Sequence, residues 1–396
     1  MASVAIVKCD DYTPSRVLRA VKEAIDLLGG IQAFVQPGQT ILLKPNLLCA
    51  RPPEHAVCTH PSVVEAVASL ATAAGGECSI GDSPSTGAED GDAYMRLFQI
   101  TGMHDVILRT GIRPIRFDDA AVECEVPGAK VFRRFLLAEE VLRANALINI
   151  CKFKTHELTL LTGAVKNLYG CIVGRRKVEY HLQAGDNPEM FAQVCVDLVR
   201  AVRPTLSIMD GIVGMDGQGP SSGRRRAFRV IIASPDPVAL DAVACLAAGI
   251  NPMSIPMLRL ASEQGVGTAE PEKIQILGAR IEEVQIPDFQ LPHKKDMYNR
   301  LPRPVRQLLK GQLTYRPQFV ASRCSKCGAC LKICPTNAIK EGGKHFVIDH
   351  TKCIRCYCCQ EVCPEQAIII RTGRLRTFIE AGLAMRRRVR DRLRSN

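Results

Sequence analysis

The chain has no tryptophan, and aromatic residues make up only 5% of it. There is little on which to stack nucleic-acid bases, and no recognition motif accompanies the basic charge, so nucleic acid is not an expected partner. No uninterrupted apolar run approaches the roughly 18–20 residues that cross a bilayer. The start, MASVAIVKCDDY, follows a short apolar stretch with two aspartates; it reads as a strand rather than an export signal and predicts a cytoplasmic protein. A Walker loop, a dinucleotide G-x-G-x-x-G and a serine elbow are all missing, which argues against a nucleotide enzyme or a serine hydrolase.

Cysteine, by contrast, is abundant: 18 residues, half of them between Cys324 and Cys363. In a short secreted chain this would mean a disulfide framework. In 396 residues without an export signal it reads as thiolates in a reducing compartment. The run CSKCGACLKICP beginning at Cys324 returns 29 positions later as CIRCYCCQEVCP. Each copy has the spacing C-x-x-C-x-x-C-x-x-x-C-P, which places Cys324, Cys327, Cys330 and Cys334 in one and Cys353, Cys356, Cys359 and Cys363 in the other. Zinc also takes Cys-x-x-Cys pairs, but three cysteines at intervals of three and a fourth before proline, all duplicated, suit iron–sulfur cubes better. In bacterial runs of this spacing the fourth cysteine serves the other cluster. The expectation is therefore two [4Fe-4S] clusters, one on Cys324, Cys327, Cys330 and Cys363, the other on Cys353, Cys356, Cys359 and Cys334. Cys358 stands where the first copy has Ala329 and reads as a small buried hydrophobe.

Phe319 to Arg371 thus resembles the two-cluster bacterial-type ferredoxin domain. The resemblance implies a small pseudo-symmetric α+β fold, with Ala338-Ile339 and Ala367-Ile368 supplying its core. It also implies single-electron transfer to a redox partner protein or from an electron donor.

Before it, apolar strands alternate with amphipathic helices. PSRVLRAVKEAIDLLGG sets Val17, Leu18, Val21, Ala24, Ile25 and Leu28 on one face and stops at glycine; PSVVEAVASLATAAGG and PDPVALDAVACLAAG behave alike. The runs TILL, CSI, ALINI, LSIM and VIIA read as buried strands between them. The fold class is α/β, a parallel or mixed sheet with flanking helices. In such sheets ligands bind beyond the carboxyl ends of the strands, and there the sequence puts Lys44, Asn46, Asp82, Lys152, Lys154, His156, Asp210 and Asp216, with Lys166 and Asn167 at a nearby helix start. These amines, amides and carboxylates predict an anionic small-molecule substrate. His156, Lys166 and Asp210 are the catalytic candidates, while Lys44, Asn46, Asp82, Lys152, Lys154, Asn167 and Asp216 are the binding candidates. Turn caps and solvated loop charges are the plainer account of any one of them taken alone.

The ordered motifs LLKPNL, THPSVV, GDSP, CKFKTHELTLLTGAVKNLYG and MDGIVGMDGQGP, followed by the cysteine pairs, resemble the family known as domain of unknown function 362 with a fused ferredoxin domain. That likeness implies fold and cofactor but no settled reaction. The organisation expected is 1–289 for the α/β domain, 290–318 for a basic proline-containing linker, 319–371 for the cluster domain and 372–396 for a basic amphipathic tail. From Gln290 onward lie 23 of the 52 basic residues but only 7 of the 40 acidic ones, so the net charge of +12 is a property of the C-terminal part. The tail suits peripheral contact with an anionic membrane, docking on a partner, or packing on its own protein. The functional readings open at this point are an iron–sulfur oxidoreductase, a non-catalytic electron-transfer adaptor and a cluster-based sensor.

Overall fold

A computed structural model describes residues 1–84, 91–174, 176–185, 187–292, 314–343 and 345–373. It divides into two compact units, Met1–Pro292 and His293–Asn396. The tail expectation, from 374 on, and most of the linker expectation lie outside the described residues.

The strands of the first unit are β1 (Ala2–Lys8), β2 (Thr40–Pro45), β3 (Glu77–Asp82), β4 (Arg113–Arg116), β5 (Ala121–Glu125), β6 (Arg134–Ala138), β7 (Ala146–His156), β8 (Leu160–Thr162), β9 (Leu206–Asp216), β10 (Arg224–Ser234) and β11 (Ile274–Gly278). Nine of them form one sheet in the order β11-β1-β10-β9-β7-β2-β3-β4, with β8 beside β7. β10 and β8 run against the rest, so the sheet is mixed but mostly parallel. All eleven residues of β7 are buried, as a central strand covered on both faces requires. β5 and β6 pair apart from this sheet.

The helices follow the apolar spacing; in chain order they include α3 (Gly91–Ile100), α4 (Met103–Thr110), α5 (Glu139–Arg143) and α7 (Arg176–Ala184). α1 (Pro14–Asp26) buries Val17, Ala20, Val21, Ala24 and Ile25, starts on proline and leaves Leu18 at 40% exposure. α2 (Pro61–Ala73) opens with the His60 ring accepting from the Ser62 N–H at 3.2 Å. Both pack on the sheet face that carries Ile41, Leu43, Ile148, Ile150, Leu206 and Ile208. Strand alternation turns Leu42, Leu147 and Asn149 to the other face. There lie α6 (Ala164–Asn167), α8 (Pro188–Val202), α9 (Pro237–Ala247) and α10 (Pro256–Glu263), which pack on one another. The chain passes from β2 to β3 through α2 on the first face, and from β7 to β9 through α6 and α8 on the second. β2 and β7 are neighbours, so the sheet reverses its winding between them and a crevice opens at their carboxyl ends.

In the second unit, β12 (Arg316–Phe319) pairs antiparallel with β15 (Ile368–Arg371), and β13 (Ile339–Lys340) with β14 (Val347–Ile348). Its helices Ala329–Ile333 and Cys358–Val362, here αA and αB, pack together. β12 begins three residues inside the stretch read as linker, because its pairing with β15 draws Arg316 to Gln318 into the sheet. The repeat is visible in the backbone. Lys326 and Arg355 (φ 55° and 59°), Gly328 and Tyr357 (78° and 64°), and Asn337 and Gln366 (50° and 48°) take the same left-handed turns in the two copies. Ala338, Ile339, Ala367 and Ile368 are all buried.

Candidate functional site

The second unit carries two small cavities. One is walled by Cys324, Cys327, Cys330 and Cys363, with Phe319 and Phe346; the other by Cys334, Cys353, Cys356 and Cys359, with Cys358, Ile339 and Ile348 also in its wall. The first cavity therefore takes three cysteines from the first run and Cys363 from the second; the other takes Cys334 from the first run and, with Cys358 counted, four from the second. Burial, then the neighbouring Cys363, Cys327 and Cys324 thiols, push the Cys330 thiol up to about 12. Burial, then Cys356 and the facing Cys353 and Cys334, raise Cys359 in the same way. Four thiolates this close repel one another unless a positive core sits between them. The chain's own donors to these sulfurs repeat as well: Ala338 N–H donates to Cys334 Sγ and Ala367 N–H to Cys363 Sγ, both at 3.2 Å. Among the described residues no three His, Cys, Asp or Glu groups converge on a single metal-ion position. A cube asks for a different arrangement, one thiolate per iron around a wider centre.

At the carboxyl edge of the large sheet four lysines are buried: Lys44 and Lys152 at 0% exposure, Lys154 at 1% and Lys177, from α7 (Arg176–Ala184), at 8%. An ammonium group out of water is costly unless compensated, so the partners of each decide what the site can do. Lys152 Nζ reaches Asp210 Oδ2 at 2.7 Å and the Tyr12 hydroxyl at 2.8 Å. Asp210 also accepts from Tyr12 OH at 2.8 Å and from the backbone N–H of His60 at 2.9 Å. The His60 ring stacks on Tyr12 with centroids 3.6 Å apart. Burial drops the His60 imidazole to about 4, against the pull of Asp210, so it is neutral at pH 7. Beside this group Lys154 Nζ donates to Asn46 Oδ1 at 2.7 Å and to the carbonyl of Val57.

On the other side of the crevice Lys44 Nζ pairs with Asp82 Oδ1 at 2.8 Å, and Asp82 Oδ2 accepts from the Leu47 N–H at 2.7 Å. Asn167 Nδ2 donates to Asn149 Oδ1 at 2.8 Å and to the Lys44 carbonyl at 3.4 Å, while Asn167 Oδ1 is buried with no hydrogen-bond partner in the structure described. Lys177 Nζ donates to the Ser83 carbonyl at 2.6 Å, to Ser83 Oγ and to the Pro84 carbonyl at 3.2 Å. All three acceptors are neutral. Burial therefore lowers Lys177 to about 8, partly offset by Asp118 and Asp82.

Seven of the ten expected residues thus sit around the crevice: Lys44, Asn46, Asp82, Lys152, Lys154, Asn167 and Asp210. Three do other work in this structure. His156 Nδ1 accepts from the Leu158 and Thr159 N–H groups and shapes the turn between β7 and β8. The Lys166 ammonium lies over the Tyr169 and Phe191 rings at 4.2 and 5.4 Å. Asp216 is gripped by Arg224 at 2.8 Å and Arg226 at 3.0 Å, and binds the Gln290 N–H. Sequence reasoning missed Tyr12, His60 and Lys177. The first two follow β1 and precede α2, at the same edge as the rest, and that position was the available signal. A lysine in the charged stretch GRRKVEYH carries none.

Among the described residues no helix is long and apolar enough to cross a membrane. Residues 41–246 match the family described as domain of unknown function (DUF362), and residues 323–367 match the 4Fe-4S dicluster domain. A thylakoid-associated protein of Synechocystis is 33% identical over 304 residues, which are 73% of this chain and 91% of that protein. A ferredoxin-like protein in the nif region of Sinorhizobium fredii is 49% identical over 35 residues, 9% of this chain and 55% of that one. Among solved structures, the lactate racemase apoprotein from Thermoanaerobacterium thermosaccharolyticum aligns with a TM-score of 0.40 and 12% identity, over 63% of this chain and 58% of that chain.

Proposed function

Given that the chain belongs to the DUF362 family and carries a 4Fe-4S ferredoxin-like domain, we propose that it is an oxidoreductase whose first unit binds an anionic small molecule in the crevice between β2 and β7. In this reading Cys324, Cys327, Cys330 and Cys363 hold one cube, and Cys334, Cys353, Cys356 and Cys359 the other. The cavity walls support that division. When bound, the cubes supply single electrons. Lys154 and Lys177 orient the anion, Asn167 Oδ1 accepts a hydrogen bond from an O–H or N–H of the ligand, and the Lys152–Tyr12–Asp210 chain holds a proton at the Tyr12 oxygen. His156 and Lys166, the earlier catalytic candidates, shape the β7–β8 turn and the aromatic wall instead.

The observation that carries this reading is Lys177, a buried ammonium at a topological switch point whose hydrogen-bond acceptors are all neutral oxygens. Lys44 and Lys152 are matched by Asp82 and Asp210, whereas Lys177 leans on neutral oxygens. Such a site favours an incoming negative charge. Native mass spectrometry of anaerobically purified protein tests it. Expected is mass beyond the chain and two cubes, or a shift to such mass on adding a panel of carboxylates and phosphates, and its loss in Lys177→Met. Mass accounted for by chain and cubes under every addition overturns it.

A second reading, the electron-transfer adaptor, is favoured by the saturation of Asp210, which accepts from Lys152, Tyr12, His60 and Ile212 and looks built to hold the fold. An adaptor would retain its electron exchange in Lys177→Met.

A further inference from the structure

The two cysteine runs share a backbone plan but not their surroundings. Cys327 is exposed, whereas its equivalent Cys356 is at 8%. αA turns Leu331 and Lys332 to solvent, while every residue of αB is buried, Gln360 completely. The cavity of Cys356 has no charged residue in its wall; that of Cys327 is rimmed by Lys326 and Glu365. Around it Arg323, Lys326 and Lys332 are all exposed. Lys326 is held in place by its left-handed backbone and by donation from Nζ to the Gly343 carbonyl at 2.6 Å.

Electron exchange between proteins falls steeply with distance, so the sulfur that reaches the surface marks where exchange with the outside is fastest. Charge around it selects the partner and steers its approach. We infer that the cavity of Cys324, Cys327, Cys330 and Cys363 is the external electron port. The basic rim of Arg323, Lys326 and Lys332 docks a redox protein whose own centre lies beneath an acidic face. Glu365 is the single opposing charge on the cavity wall and fixes the partner's orientation rather than its affinity. The inference rests on the cysteines being cluster ligands. It gives the two cubes different roles: the first meets the partner, and the second, behind an uncharged wall, does not.

The test uses anaerobic holoprotein and, as donor, an acidic flavodoxin in its hydroquinone form, followed by stopped-flow absorbance. The rate should fall as salt rises. Lys326→Glu/Lys332→Glu should slow it about tenfold at low ionic strength and flatten its salt dependence. Lys352→Glu, an exposed reversal beside the second run, should change it by less than about twofold. Reduced lumiflavin, a small donor without the acidic face, should react with all variants alike. Iron content and the EPR spectrum of the reduced protein are read first in every variant. Wild-type protein lacking cubes refutes the cofactor reading itself. Intact cubes with a salt-independent rate, an equal effect from Lys352→Glu, or an equal loss with lumiflavin overturns the port. If Lys326→Glu disturbs its loop, Arg323→Glu/Lys332→Glu carries the same expectation from outside the Cys-x-x-Cys turn.

Discussion

Tyr12 is the residue on which the Lys152–Asp210 pair depends. Its hydroxyl donates to Asp210 and accepts from Lys152 and from the Val213 N–H at 3.1 Å. Tyr12→Phe keeps the ring on His60 but leaves a buried ammonium and a carboxylate each one partner short, which should cost about 1–3 kcal/mol. In urea denaturation the midpoint should drop with no change in slope; an unchanged midpoint would show that water replaces the hydroxyl. Lys177 should announce itself through pH. Its folded value of about 8 lies below the ordinary lysine value of 10.5, so between them the unfolded chain binds the extra proton and stability rises with pH. Below pH 8 the burial penalty is fully present. Subtracting the stability profile of Lys177→Met from that of the wild type should therefore give a rise across that window, and a flat difference would mean that Lys177 is solvated.

At the scale of elements, the strand and helix periods were legible because each is enforced by a continuous apolar face: β7 buried throughout, α1 on one side only. The rule that ligands meet parallel strands at their carboxyl ends brought seven candidates to one crevice. It could not say how they would pair. Whether Lys44 faces water or Asp82 depends on where β2 and β3 end relative to each other, which one strand's sequence does not encode. The turn-capping of His156 was hidden for a related reason: a ring that caps its own turn reads, in sequence, like a ring that waits for a substrate. The turn after α6 shows how tightly this edge is built. A Cβ on Gly170 would run into Asp82 Oδ1 and stand 2.7 Å from Lys44 Nζ. Gly170→Ala should accordingly destabilise by about 1–3 kcal/mol and weaken any anion bound in the crevice. Calorimetry with the wild type alongside checks the first, and an unchanged melting temperature would mean that the Lys44–Asp82 pair can step aside.

For the whole molecule, the two units rest on different foundations. The first is held by an extended hydrophobic core. Among the described residues of the second, one buried core cluster of seven contains the three cysteines Cys330, Cys359 and Cys363. Stripping iron should therefore erase amide-exchange protection across 316–371 and leave it intact across 41–246, a contrast that hydrogen exchange with mass spectrometry reads directly. Equal loss in both segments would mean that the first unit also needs the clusters.

The lining of the two cavities has a consequence for assembly. Each borrows one cysteine from the opposite run, so neither repeat alone completes the ligand set proposed for its cavity. If each cavity takes a cube on the proposed ligands, filling the first would draw the far run into place and leave the fourth wall of the second standing ready. Iron delivered in short supply would collect in fully charged molecules beside empty ones, and the half-charged molecule would be the rare species.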